Sequence, residues 1–240
     1  GTLSAQTDLQ TALNAKQNIA NRKTAFAIES DFYSASVNAV PGILGVAISS
    51  GAVAAVASTA NHPGVIALRD SATANGGYRY MSEANALLIS GGEKAIFTFQ
   101  TRGVVSTASA RMGFHDSTAI NTQPTDGAWF EIVNNGITSS ILGRVKNNAG
   151  PSNTETYAMS VNTWYTGIIT VNSNATSVNF LLVDDSGTEL LNSNITTNIP
   201  TVAGRETGFG IIAGETSTSA AADIMYVDYM LIEINRTLTR

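Results

Sequence analysis

The pattern of hydrophobic positions divides the chain into a short first part and a long second part. Over residues 3–23, small and apolar side chains recur at steps of three and four residues, which predicts an α-helix. From Phe26 onward the period changes to two, which is typical of β-strands. We therefore predict a helical segment over residues 1–25 and one large β domain over residues 26–240.

Four segments of the second part show the strand pattern most clearly. Residues 94–101, 128–133 and 177–183 each carry apolar side chains at every second position, so each is predicted to be a strand with one face against a core: Ala95, Phe97 and Phe99; Phe130 and Ile132; Val178, Phe180 and Leu182. Residues 223–234 are apolar on both faces, which predicts a strand in the middle of a sheet. Such strands need a second sheet to cover their apolar faces.

Residues that favour turns separate these segments. The turn signals are Asn75-Gly76-Gly77, Asn134-Asn135-Gly136, Asn147-Asn148-Ala149-Gly150 and Asp184-Asp185-Ser186-Gly187. Many strands joined by frequent turns, without a second helical pattern, predict a mainly β fold of the jelly-roll type, in which two antiparallel sheets form a sandwich.

The predicted helix carries a thin apolar stripe. Its candidate contact residues are Ala5, Leu9, Ala12, Leu13 and Ile19. A helix of this length with so few large apolar side chains is marginal in water, so the stripe needs a partner. Two partners fit the pattern: the β domain of the same chain, or copies of the helix in a short parallel bundle. The second arrangement fits a stalk that leads into a head.

Composition and charge narrow the classes of function. Charged residues make up only 13% of the chain, and the net charge is −5. Apart from the adjacent Arg22 and Lys23, Lys and Arg are scattered singly along the chain, so we expect no nucleic acid partner. Cysteine is absent, which excludes disulfides and thiolate metal sites. No apolar run reaches the roughly 18 residues of a membrane span, so we expect no membrane insertion. Because the chain starts with Gly1, we expect the natural protein to extend further toward its N terminus.

An ordered series of short motifs resembles phage tail and fibre proteins. The motifs are Asn61-His62-Pro63-Gly64, Gly76-Gly77-Tyr78, Asp126-Gly127-Ala128-Trp129-Phe130, residues 144–150, Asn162-Thr163-Trp164-Tyr165, Ser177-Val178-Asn179-Phe180, Thr197-Asn198-Ile199-Pro200 and Val227-Asp228-Tyr229. Together they span residues 60–234 and are similar to lectin-like, concanavalin-type sandwich domains of phage structural proteins. Residues 9–17 resemble the short stalk repeats that precede heads in tail fibres.

This resemblance implies a concanavalin-like β-sandwich head behind a coiled-coil stalk, in a homotrimeric tail-fibre or tail-tip protein. It implies a place on the virion and, during host attachment, contact with a polysaccharide or glycan of the host cell surface. Other virion tail proteins would join the chain through the part that precedes it. In this interpretation the apolar stripe of the helix would hold the trimer together.

A candidate carbohydrate site lies around residue 130. Trp129 and Glu131 share one face of their predicted strand, and His115, Asp116 and Arg144 would lie nearby if the strands that carry them are neighbours. An aromatic ring can cover the apolar face of a sugar, while charged and polar groups bind its hydroxyls. The alternative for Trp129 is packing or a subunit contact.

Three other residues are predicted to have structural roles. Asp228 lies in an otherwise apolar strand, so its carboxylate needs a hydrogen-bonding partner or must line a cleft. His62 precedes Pro63 and Gly64, which favours a role in organising a loop. Trp164 heads a predicted strand and matches a core tryptophan of such sandwiches.

No arrangement for catalysis is visible along the chain. Glycoside hydrolysis uses two carboxylates roughly 5–10 Å apart, yet the positions that alternate with Glu131 are Trp129 and Val133. No nucleophile elbow of the G-x-S-x-G type occurs. We expect no enzyme activity, no cofactor and no metal site. The leading hypothesis is a trimeric tail-fibre head that binds a glycan; the alternatives are a polysaccharide depolymerase and a purely architectural tail component.

Overall fold

The structure of the protein is a computed structural model that describes residues 25–32, 44–71, 73–102, 108–134, 138–218 and 222–235. Within these ranges, every regular element is a strand, and the strands form two sheets. Sheet A consists of β1 (Ala25–Ser30), β3 (Ala52–Ala55), β4 (Ile66–Arg69), β6 (Glu93–Thr101), β12 (Trp164–Val171), β13 (Val178–Asp184), β14 (Glu189–Ile195) and β16 (Asp223–Asn235). Sheet B consists of β2 (Leu44–Ile48), β5 (Gly77–Met81), β7 (Ala108–His115), β8 (Asp126–Asn134), β9 (Ser139–Asn147), β10 (Ser152–Asn153), β11 (Tyr157–Met159) and β15 (Gly208–Glu215).

The two sheets are antiparallel and face each other across one core, as the sequence predicted. The strand order in sheet A is β14-β13-β12-β6-β16-β4-β3, and β1 pairs with the second half of β16. The order in sheet B is β10-β9-β8-β7-β15-β5-β2, and β11 also pairs with β9. Neighbours such as β6 and β16 are distant in sequence, which is characteristic of jelly-roll connections.

Alternating side chains of both sheets form the core. Phe97 and Phe99 of β6 face Phe114 and Phe130 from sheet B, and all four are fully buried. Phe130 meets Phe180 of β13 edge to face, with ring centroids 5.2 Å apart. Each such ring contributes about 1.5–3 kcal/mol by leaving water. The predicted strands over 94–101, 128–133 and 177–183 are therefore confirmed, together with the faces that they bury.

Strand β16 lies inside sheet A, as its two apolar faces predicted, but it does not alternate regularly. Val227 is level with Phe99 on β6 and Tyr229 with Thr98, so Asp228 is an extra residue that forms a β-bulge. The core-facing positions therefore change from Met225 and Val227 before the bulge to Met230 and Ile232 after it. Strict alternation predicts only one of these two halves correctly.

The turn signals that can be compared with the structure are confirmed. Asn75 and Asn148 have left-handed backbone angles, with φ of 61° and 58°, and Gly187 has φ of 83°. The Asp184 side chain accepts hydrogen bonds from the backbone N–H groups of Ser186 and Thr188, both at 2.9 Å. These bonds close the turn between β13 and β14.

The predicted stalk lies outside the described residues. Its helix, its contact residues Ala5, Leu9, Ala12, Leu13 and Ile19, and the trimer that they would hold therefore stay predictions. In the part of the chain that the structure describes, no helix has the length and apolar character needed to cross a membrane.

Candidate functional site

The loop between β7 and β8, residues 116–125, covers part of the outer face of sheet B. This face is the side of the sheet that points away from the core. Ile120 of the loop packs against Met81 of β5 and Ile212 of β15, which form a small hydrophobic cluster separate from the main core. We refer to residues 116–125 as the β7–β8 loop.

Arg111 of β7 holds this loop to the sheet. Its guanidinium group donates hydrogen bonds to the carbonyl oxygens of Ala119 at 3.2 Å, Ile120 at 3.0 Å and Thr122 at 2.9 Å. The side chain is almost fully buried, and this burial lowers the pKa of Arg111. A planar group with five N–H donors suits this task, because it can bind several carbonyl oxygens of one loop at once.

Glu131 of β8 lies beside Arg111 and is also buried. The Nε atom of Arg144 on β9 forms an ion pair with one of its carboxylate oxygens. The other oxygen accepts a hydrogen bond from Nε2 of Gln123 at 2.8 Å and lies 3.6 Å from Nε of Arg111. One carboxylate thus faces two guanidinium groups and is tied to the β7–β8 loop.

His115 and Trp129 are buried side by side on the same outer face. Their ring centroids are 6.4 Å apart, and the rings meet edge to face. The imidazole is fully buried, and burial together with the positive charge of Arg111 lowers the pKa of His115 to about 3. His115 is therefore neutral at physiological pH.

The structure brings four of the five predicted carbohydrate-site residues onto one face of β7, β8 and β9, and it places the fifth differently. Trp129 is opposite Arg144, with Glu131 and His115 on the same side of the sheet. Asp116 instead lies at the start of the β7–β8 loop. Its carboxylate accepts hydrogen bonds from the backbone N–H groups of Thr125 and Asp126, where the loop ends. Whether these residues bind a glycan stays a prediction.

The exposure of Trp129 differs from that of an open sugar platform. The side chain is 1% exposed, because the outer face that carries it is covered. Alternation correctly predicted that Trp129 and Glu131 point away from the core. Alternation did not indicate that the outer face of the sheet would also be covered, so that these two side chains are buried although they point away from the core.

Beside the buried ion pairs lies an open pocket of about 230 Å³, which we call the sheet B pocket. Its lining combines charged, amide, hydroxyl and apolar side chains: Arg111, Glu131, Asn121, Gln123, Asn134, Ser109, Thr216, Ala108, Ile120 and Val133. Sequence reasoning selected Glu131 but missed Arg111 and the loop amides. A lone charged residue between Ala110 and Met112 in an apolar strand was the available signal for Arg111.

A second loop covers part of the outer face of sheet A. It comprises residues 56–65 between β3 and β4, and we call it the β3–β4 loop. Nδ1 of His62 lies 2.9 Å from a carboxylate oxygen of Asp228, and Nε2 lies 3.4 Å from a carboxylate oxygen of Asp185. The imidazole also stacks on Trp164, with ring centroids 4.0 Å apart and planes at 15°.

These contacts settle two predictions and correct a third. His62 organises its loop, and Asp228 has the hydrogen-bonding partner that its position in an apolar strand required. Trp164, in contrast, is not a core residue. It lies on the outer face of sheet A, because the next residue, Tyr165, is the one that enters the core. Among the described residues, no cluster of three or more His, Asp or Glu side chains has the geometry of a metal site.

The fold and the covered outer faces define a lectin-like β-sandwich protein. The galactose complex of the lectin UEA-II has this fold, with a TM-score of 0.57, 10% identity, and coverage of 88% of this chain and 98% of the lectin. The CBM2 module of the evolved Dit protein of Lactobacillus casei BL23 phage J-1 is also similar, with a TM-score of 0.58, 9% identity, and coverage of 90% and 98%. A glycosyl hydrolase family protein from Mycobacterium fortuitum shares the fold as well, with a TM-score of 0.52, 14% identity, and coverage of 86% and 98%. At such identities the likeness shows the fold alone.

The chain belongs to the family described as SO2946-like, C-terminal domain, whose model matches residues 61–228. The crystal structure of protein SO2946 from Shewanella oneidensis MR-1, a protein of unknown function, superposes with a TM-score of 0.74 at 19% identity. That alignment covers 90% of this chain and 89% of the other. Comparison with curated protein sequences gives no match.

Proposed function

We propose that this protein is a carbohydrate-recognition domain of a phage virion, and that the sheet B pocket binds a glycan of the host surface. The observation that carries the proposal is the pocket itself. It is lined by amide and hydroxyl side chains around a buried carboxylate that two arginines hold in place. Amide groups and a fixed carboxylate are the partners that sugar hydroxyls require.

The virion assignment is supported by the likeness to a phage carbohydrate-binding module and by the ordered motifs of residues 60–234. We propose that the chain works as a homotrimer, joined through the apolar stripe of residues 3–23. Three copies on one fibre would present three pockets to the same surface. Each pocket then needs only a modest affinity, because linked sites bind with high avidity.

A depolymerase is the less favoured function, because the sheet B pocket has one acidic residue in its lining. Glycoside hydrolysis requires a second carboxylate across the sugar bond. Moreover, both oxygens of Glu131 are engaged by Gln123, Arg144 and Arg111, whereas a catalytic carboxylate must reach a substrate proton or carbon. We propose that the domain binds without cleaving.

The test is a glycan array probed with the full chain, followed by product analysis on each glycan that binds. We expect binding to a restricted set of glycans and no release of reducing ends or unsaturated sugars. The Glu131→Gln variant should lose binding, whereas Glu189→Gln, which changes an exposed carboxylate on β14, should retain it. A folded protein that binds no glycan would be an architectural component, and released product would make it a depolymerase.

A further inference from the structure

We infer that the sheet B pocket takes a single uncharged sugar ring and rejects acidic sugars, and that side chains of the β7–β8 loop select the sugar. The inference rests on the proposed function and adds the class of ligand. Three properties of the pocket carry it: the state of its charges, the polar groups around its mouth and its size.

The lining of the pocket holds one guanidinium group and one carboxylate, those of Arg111 and Glu131, and their charges offset each other. The terminal nitrogens of Arg111 are bonded to three loop carbonyls, and its Nε atom faces Glu131. Arg144 is paired with Glu131 and donates to Asn153 at 3.3 Å, outside the pocket lining. A sugar carboxylate or sulfate would therefore meet the buried carboxylate of Glu131 without an uncommitted guanidinium to bind it. Such a charge would lose its hydration without gaining a partner.

The remaining polar groups suit hydroxyls. The pocket is lined by Asn121 and Gln123 of the β7–β8 loop and by Ser109, Asn134 and Thr216. Amides and hydroxyls both donate and accept hydrogen bonds, as sugar hydroxyls do. Asn121 is exposed, so its side chain can reorient toward a ligand, whereas Gln123 is bonded to Glu131 and Asn134 to Ser139. Asn121, which can reorient, and Gln123, whose amide is held in place, are therefore the loop residues that would distinguish one arrangement of hydroxyls from another.

The size of the pocket limits the ligand to about one ring. Its volume of about 230 Å³ lies below the roughly 300–1,000 Å³ of pockets that enclose drug-sized ligands. Val133 in its wall is apolar and 40% exposed, so it can cover the face of such a ring that carries C–H groups. The wall thus replaces the stacking that the buried Trp129 cannot offer.

The experiment compares neutral and acidic sugars on the full chain by saturation-transfer NMR and isothermal titration calorimetry. The neutral probes are the methyl glycosides of galactose, glucose, mannose and N-acetylglucosamine; the acidic probes are methyl glucuronide and sialic acid. We expect at least one neutral glycoside to bind and both acidic sugars to fail. Asn121→Ala should weaken that binding about fivefold, as expected for one lost hydrogen bond between uncharged groups.

Asn194→Ala is the matched control, because Asn194 is an equally exposed asparagine on β14 of sheet A. It should bind as the unaltered protein does. The inference is overturned if an acidic sugar binds more tightly than every neutral one. It is also overturned if Asn121→Ala and Gln123→Ala both bind normally, which would leave the domain a lectin with its site elsewhere. If no glycan binds in the array either, the proposed function itself fails.

Discussion

The two outer faces of the sandwich are covered by loops that are attached in different ways. On sheet B, the β7–β8 loop is held by the buried guanidinium of Arg111, which contacts three of its carbonyls. On sheet A, the β3–β4 loop closes through its own backbone, with hydrogen bonds between Val56 and Val65 and between Thr59 and His62. His62 then adds side-chain contacts to β16 and to Trp164. Most side-chain hydrogen bonds from sheet B to its loop therefore come from Arg111, with one further bond each to Glu131 and Lys146, whereas the loop on sheet A is closed by its own backbone.

Replacing Arg111 with Ala should produce the largest effect, since it removes the main attachment of the β7–β8 loop. It also takes one positive charge from the buried pair with Glu131. Glu131 keeps its ion pair with Arg144, but three loop carbonyls lose their donor, and each buried acceptor left without a partner costs about 1–3 kcal/mol, so we expect a total of about 3–5 kcal/mol. The free energy of unfolding, measured by urea denaturation, should fall by that amount.

Arg111→Lys sharpens this prediction, because lysine keeps the charge but lacks the planar set of donors. We expect Arg111→Lys to recover only part of the lost stability. Full recovery would mean that the charge alone holds the loop, and that the hydrogen bonds to the loop carbonyls contribute little.

The outer face of sheet B should also make the stability of the protein depend on pH. On this face, His115 has a pKa that is lowered to about 3 from its usual 6.5. As the pH falls below 6.5, the unfolded chain gains a proton on His115 that the folded protein takes up only near pH 3. The free energy of unfolding should therefore decrease through this window, at a rate approaching about 1.4 kcal/mol per pH unit. Stability above pH 6.5 should not depend on this group.

His115→Gln provides the comparison, since glutamine does not titrate. Urea denaturation at pH 7, 6, 5 and 4 should show a steeper loss of stability for the unaltered protein than for the variant. Parallel curves would contradict the assignment of the pH dependence to His115.

Replacing His62 with Ala should have a smaller effect than replacing Arg111. The change leaves the buried Asp228 carboxylate without its partner at 2.9 Å and removes the stacking on Trp164. A buried polar group that loses its hydrogen bond costs about 1–3 kcal/mol. Because the backbone bonds of the β3–β4 loop remain, we expect the loop to stay in place, with hydrogen exchange of its amides little faster. Asp228→Asn should restore stability to His62→Ala in part, since it removes the unpaired charge.

The smallest effect is expected for Arg69 on β4, which is also paired with a carboxylate. Its Nε atom lies 2.5 Å from Asp223, but the side chain is 44% exposed, so water screens the pair. Arg69→Ala should cost no more than about 1 kcal/mol in urea denaturation. A loss as large as that of Arg111→Ala would show that burial is not what separates the two arginines.

The sequence predicted the part of the fold that depends on local alternation. Phe97, Phe130 and Phe180 occupy core positions because each belongs to a row of apolar residues at every second position of its strand, and the turns form where Asn and Gly accept left-handed angles. The bulge at Asp228 was not predictable, since the extra residue exists only relative to β6. The sequence of one strand does not indicate which of its residues pair with those of the neighbouring strand.

For the candidate site, the sequence predicted which residues occur there better than it predicted how they are arranged in the folded protein. Trp129, Glu131, His115 and Arg144 do share one face, because β7, β8 and β9 are consecutive in both sequence and sheet. The burial of Trp129 was missed, since alternation did not indicate that the outer face of the sheet would also be covered. We expected a partner for Asp228 because a charged group in an apolar strand must be paired. The same argument applies to Arg111 and would have selected it as well.

The chain contains two tryptophans, and the fold places one on each outer face. Trp129 is enclosed beside His115, and Trp164 is stacked on His62. Each face therefore has its own intrinsic fluorophore next to its own histidine. In the single-tryptophan variants Trp129→Phe and Trp164→Phe, emission wavelength and quenching by acrylamide would follow one loop at a time, without any added label. The order in which the two faces open during unfolding can thus be read from one protein.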